Sequence, residues 1–157
     1  TMEGDLLTLQ ERADCQSHRT FGDVVELRDR GVANTTFRDL LMLAQERLGA
    51  EAFIDLHGRE VVSTLECPNC GASTPLGMLE ANVTPALAPC PACAHAMRDP
   101  ETTHVVTQDT WFVGRTLADV GLPALDIVEA RTAAGSVGFE LTGDAATAPG
   151  GQWASAR

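Results

Sequence analysis

Cys67-Pro68-Asn69-Cys70 and Cys90-Pro91-Ala92-Cys93 are two Cys-Pro-x-Cys knuckles nineteen residues apart. Four thiolates at that spacing can close a tetrahedron around one zinc ion, so the reading of the fold starts at a metal. In each knuckle a tight loop brings two sulfurs to one side, and the proline after the first cysteine presets the φ angle such a loop needs. Gly71 follows the first knuckle, where a residue with positive φ is commonly required and glycine supplies it without steric cost. Ala94 holds the matching place in the second knuckle and suits it less well. Unrelated buried thiols or disulfides are the competing reading, which two identical motifs at ribbon spacing disfavour.

Ligand count separates a structural site from a catalytic one. Cys67, Cys70, Cys90 and Cys93 fill all four positions of a tetrahedral Zn2+ and leave none for water or substrate. No His-x-Glu or His-Glu-x-x-His arrangement stands in the chain. The metal is expected to hold the fold together, with no catalytic residue and no organic cofactor assigned.

Composition bounds the rest. The 157 residues are 44% hydrophobic, enough for about one compact unit. Twenty-two acidic against eleven basic residues give a formal charge of −11, and lysine is absent. A nucleic-acid binder needs a basic face to neutralise phosphates, so a protein partner is expected in place of nucleic acid. No apolar run has the length of a membrane span and the start does not read as a signal peptide, so no membrane association is expected. Four of the five cysteines sit in metal-type pairs and Cys15 is left over, which points to a reducing, cytoplasmic setting.

Along the chain the expected fold class is α+β, a small mixed domain with a four-cysteine zinc ribbon, few helices and short antiparallel strands. Residues 1–50 read as strands at Leu6-Leu7-Thr8-Leu9 and Val24-Val25-Glu26-Leu27 followed by a helix. Thr36 and Asp39 have capping-box spacing, and Phe37, Leu40, Leu41, Ala44 and Leu48 share one face until Gly49 stops the run. Residues 51–110 form the zinc-ribbon module. There, 52–56 and 61–65 flank His57-Gly58 and are expected to pair as a hairpin that delivers the first knuckle. Glycine and prolines between the knuckles forbid a long helix, leaving a three-stranded ribbon. Residues 111–144 offer a helical turn capped by Thr116 and stopped by Gly121, then two apolar runs that pair across 133–136. Residues 145–157 collapse to small and polar types and read as a flexible tail.

Asp14-Cys15-Gln16-Ser17-His18 forms a second, weaker constellation. Cys15 and His18 could supply two ligands to a second zinc together with His95 or His104. Cys15 could instead be a nucleophile activated by His18, although Asp14 opposes the necessary thiol pKa depression. A solvated loop or half-buried thiol is the default.

Taken together, Gly4-Asp5 and its strand, the Arg12 to His18 segment, Thr36-Phe37-Arg38-Asp39-Leu40-Leu41, the knuckles, Thr116 to Val128 and Phe139 to Asp144 resemble the region that follows the adenylation domain in bacterial ThiF/MoeB/HesA-type proteins. These are relatives of ubiquitin-activating enzymes. The resemblance spans roughly residues 5–144 and implies a zinc-bearing portion beside an adenylyltransferase that activates a ubiquitin-like or sulfur-carrier protein. This chain lacks the Gly-rich nucleotide loop such chemistry requires, so it is not expected to be catalytic on its own. An accessory module bound to an adenylyltransferase domain or carrier protein is the expected function. The alternatives are an enzyme component with Cys15 as the acyl- or sulfur-accepting thiol, and a stand-alone zinc-ribbon scaffold. Thr116 to Arg131 also resembles the closing turn and strand of a β-grasp ubiquitin-like fold, but Gly150-Gly151 is followed by six further residues and would need prior cleavage.

Overall fold

The computed structural model describes residues 22–146, which fold as α+β with two short antiparallel-rich sheets and two helices. In chain order the elements are β1 (Asp23–Glu26), α1 (Phe37–Leu48), β2 (Phe53–Asp55), β3 (Val61–Glu66), β4 (Ser73–Leu79), β5 (Asp99–Thr103), β6 (Val105–Val106), α2 (Leu117–Val120), β7 (Ile127–Thr132) and β8 (Gly135–Glu140). The expected strand at 6–9 and all of the expected 145–157 tail after Ala146 lie outside the described residues, while Ala145 and Ala146 end a 3-10 helix, Thr142–Ala146.

Helix α1 forms where its signals stand. Thr36 accepts from the Asp39 N–H at 3.2 Å while the Asp39 carboxylate accepts from the Thr36 N–H at 2.8 Å, which closes a capping box. Phe37, Leu40, Leu41 and Ala44 are fully buried and Leu48 is partly buried, so the apolar stripe is core. Each large side chain buried in this way contributes about 1.5–3 kcal/mol. Gly49 ends the helix, its N–H donating to Gln45 O. Thr116 caps α2 through its side chain, accepting from Asp119 N–H, and Gly121 stops it in the left-handed region. Thr36 and Thr116 also form an antiparallel bridge, so both helices start from one point.

The larger sheet runs β1-β8-β7-β2-β6. Its pairs are antiparallel except β1 with β8, and α1 packs on β2, β7 and β8. β7 and β8 pair as read from the sequence, with a tighter turn at Ala133-Ala134 because Gly135 and Ser136 already lie in β8. The second sheet is the three-stranded ribbon β4-β3-β5. Strands of the larger sheet come from all three of the stretches 1–50, 51–110 and 111–144, and the ribbon strands lie within 61–103.

The expected hairpin of 52–56 with 61–65 does not form. His57 and Gly58 do make a tight turn with positive φ at both residues, 47° and 75°, and Arg59 N–H donates to Leu56 O. A strand has only two hydrogen-bonding edges, however, and β2 gives both to β7 and β6 while β3 gives both to β4 and β5. Side chains around the turn hold the chain to β7. His57 Nε2 bonds Glu129, Arg59 pairs with Asp126, and Arg131 donates to Asp55 at 3.2 Å. Burial alone would raise the Asp55 pKa, but the His57 N–H, the imidazole charge and the Arg131 guanidinium outweigh it and hold the carboxyl below its ordinary value.

Val61 and Leu79, opposite one another on β3 and β4, belong to the main core and plug the ribbon base into it. Above them the register slips at Ser63, and the segment before α2 uses that irregularity. Trp111 Nε1 donates to Ser63 Oγ at 3.0 Å, and Arg115 donates to the carbonyls of Leu76 and Gly77. Gly77 has φ of 59°, and a Cβ there would meet Arg115 Nη1 at 2.9 Å and the Trp111 ring at 3.0 Å. Among the described residues no helix is long and apolar enough to cross a membrane.

Two outcomes are expected. The Thr36 side-chain and backbone hydrogen bonds lower the Asp39 pKa, so Asp39 adds stability above the ordinary carboxylate pKa that is lost as pH falls through its own lowered value. Asp39→Ala should cost about 1 kcal/mol near neutral pH, with the difference from wild type closing in acid denaturation series below the carboxylate range. His57→Ala removes the imidazole from the Glu129 side chain, only 9% exposed, and should cost about 1–3 kcal/mol in urea titration.

Candidate metal centre

The two knuckles have the same backbone construction. In the first, which joins β3 to β4, Cys67 N–H donates to Ala72 O and Gly71 N–H to Cys67 O. In the second, which precedes β5, Cys90 N–H donates to His95 O and Ala94 N–H to Cys90 O. Both loops need a left-handed residue one position after the second cysteine. Gly71 supplies it at φ 71° and Ala94 is forced into it at 57°. The mismatch noted at Ala94 is thus a local strain that the loop accepts, on the order of 1–2 kcal/mol for an L residue.

The four sulfurs all lie within 4.8 Å of one another and could hold a metal ion. Cys67 Sγ and Cys93 Sγ are 3.6 Å apart, and Cys70 Sγ and Cys90 Sγ 3.7 Å. A disulfide would need about 2.05 Å. A tetrahedron with metal–sulfur bonds of about 2.3 Å has sulfur–sulfur edges of about 3.8 Å, which matches both contacts. Each close pair joins one knuckle to the other, so the cluster closes the ribbon across β3. Cys67 and Cys90 are buried while Cys70 and Cys93 face solvent.

The thiols differ in proton affinity. Asn69 and the His95 N–H, followed by the neighbouring Cys70 sulfur, draw Cys93 down to about 6. For Cys70 the Ala72 N–H lowers the pKa, but its contacts with Cys93 and Cys67, desolvation and Cys90 together push it up to about 12. Burial raises Cys90, and backbone N–H groups of Cys93 and Ala92 more than reverse this. Four sulfurs at this separation repel one another as anions, and a cation at their centre removes the conflict.

Among the described residues this is the one group of three or more metal-type side chains. The histidines considered for a second site do not join it. His104 pairs with Glu60 at 3.3 Å, and His95 is exposed beside the second knuckle. Cys15 and His18 lie outside the described residues. Sequence reasoning passed over Arg98, whose side chain is buried between the knuckle segments. Its only signal was that no other Lys or Arg occurs between 61 and 103.

Relief of the left-handed strain is directly measurable. Ala94→Gly should raise stability by about 0.5–1 kcal/mol in thermal unfolding without disturbing the sulfur cluster.

No family model, no curated protein and no solved structure matches this chain.

Proposed function

We propose that this chain is a structural zinc module that works by protein–protein binding, as the accessory or C-terminal portion of a ThiF/MoeB-type adenylyltransferase system activating a ubiquitin-like or sulfur-carrier protein. The observation that carries the zinc reading is the set of four sulfurs with inter-knuckle contacts of 3.6 and 3.7 Å. Soft thiolates in a tetrahedron favour zinc among the common divalent ions, and four protein ligands leave it structural. The thiols must remain reduced for this role, in keeping with a cytoplasmic setting.

The partner reading rests on the resemblance of the motifs from Gly4 to Asp144 and on charge. Glu66, Glu80, Asp99 and Glu101 are exposed on the ribbon, whereas Arg98, its sole Arg or Lys, is buried. That surface repels phosphate backbones and suits the basic face of a protein.

Elemental analysis tests the metal. The purified chain should hold about one zinc, and Cys67→Ser and Cys70→Ser should lose it together with the ribbon's contribution to thermal stability. Acidification should release the ion, because each ligand must be deprotonated to bind. Full stability after chelation would overturn the structural role. Calorimetric titration against a ThiF-type adenylyltransferase and its carrier protein tests the partner: binding that weakens with salt and on chelation supports it, and no binding by the zinc-loaded chain overturns it.

A further inference from the structure

Arg98 immediately precedes β5 and is only 7% exposed. Its Nη1 donates to Thr74 Oγ1 at 2.9 Å and its Nη2 to the Leu87 carbonyl, while its buried Nε has no hydrogen-bond partner. Both acceptors are neutral. Among the described residues no carboxylate pairs with this guanidinium, although Asp99 and Glu101 follow it on the exposed edge strand. A cation buried among neutral groups is costly unless a counter-charge lies nearby.

The three segments that meet at this side chain are those that carry the knuckles. Thr74 comes four residues after Cys70, Leu87 three before Cys90, and Arg98 five after Cys93. A divalent ion held by four thiolates carries two net negative charges, which makes it the strongest anionic group the ribbon can form.

We propose that Arg98 is the fixed counter-cation of the tetrathiolate metal centre, a positioning residue that ties the two knuckle segments together and balances the charge of the metal-bound cluster. The inference rests on the zinc reading given above. It adds that metal affinity is set in part by a residue that is not a ligand, as outer-sphere partners do elsewhere. It also accounts for an arginine with neutral hydrogen-bond acceptors in a chain that carries twenty-two acidic residues.

Competition with a chromophoric chelator, on the full chain, measures the zinc dissociation constant for wild type, Arg98→Lys, Arg98→Met and Thr74→Val. Arg98→Met should weaken binding by about 10- to 100-fold. Arg98→Lys keeps the charge but not the guanidinium fork and should fall between wild type and Arg98→Met, whereas Thr74→Val, which removes one hydrogen bond and no charge, should stay within about threefold of wild type. Cobalt(II) substitution checks that each variant still forms a tetrahedral thiolate site by its charge-transfer and d–d absorption. Loss of that spectrum in Arg98→Met with its retention in Arg98→Lys supports the proposal equally. Wild-type affinity in Arg98→Met overturns it, as does an Arg98→Lys as weak as Arg98→Met, or a Thr74→Val that falls as far as Arg98→Met. A wild-type chain that binds no metal would instead overturn the zinc reading itself.

Discussion

A β-strand has two hydrogen-bonding edges, and the division of this chain into two sheets follows from how β2 and β3 use theirs. β2 is enclosed by β7 and β6, and β3 by β4 and β5, so the short link at 56–60 becomes a passage between sheets. That passage is held by charge as well as by backbone. His57, Arg59 and Asp55 reach Glu129, Asp126 and Arg131 around β7, which keeps the end of β2 against the larger sheet while β3 departs. The larger sheet then receives α1 on one face, and Phe37, Leu40, Leu41 and Ala44 complete a core to which Val61 and Leu79 of the ribbon also belong.

The ribbon therefore has two different kinds of support. At its base it shares the main core and is gripped by Trp111 and Arg115, which use the slipped register at Ser63 and the close approach that Gly77 permits. Toward the knuckles apolar burial thins. Leu65, Cys67 and Cys90 are buried there, while every residue of 91–97 is exposed. A segment so poor in apolar area gains little from packing to offset its ordering entropy, and the proposed metal would supply that closure.

Metal, thiolates and Arg98 form one electrostatic unit in the reading advanced here. Sulfurs at 3.6 to 3.7 Å repel as anions, and a divalent ion brings them together but leaves excess negative charge. A buried guanidinium whose hydrogen-bond acceptors among the described residues are both neutral is the complementary excess. The exposed face of the ribbon stays acidic, so the charge presented to a partner and the charge balanced internally are separate matters.

Local chemistry determined a large part of this protein from the sequence alone. The knuckles, the Thr36 and Thr116 caps, the stops at Gly49 and Gly121 and the β7–β8 hairpin each depend on residues a few positions apart, and each stands where those residues put it. The four cysteines were legible for the same reason, since ligand spacing within a knuckle is a local property. Ala94 shows the limit of residue preference: the loop's hydrogen bonds, repeated from the first knuckle, impose a left-handed backbone on a residue that disfavours it. Tertiary structure alone decided which strands share a sheet, because apolar runs on either side of a good turn carry no record of which edges distant strands will claim. The parallel pairing of β1 with β8, the crossing from β2 to β3 and the burial of Arg98 all arise from segments far apart in the chain, where a single sequence holds the residue types but not their meeting.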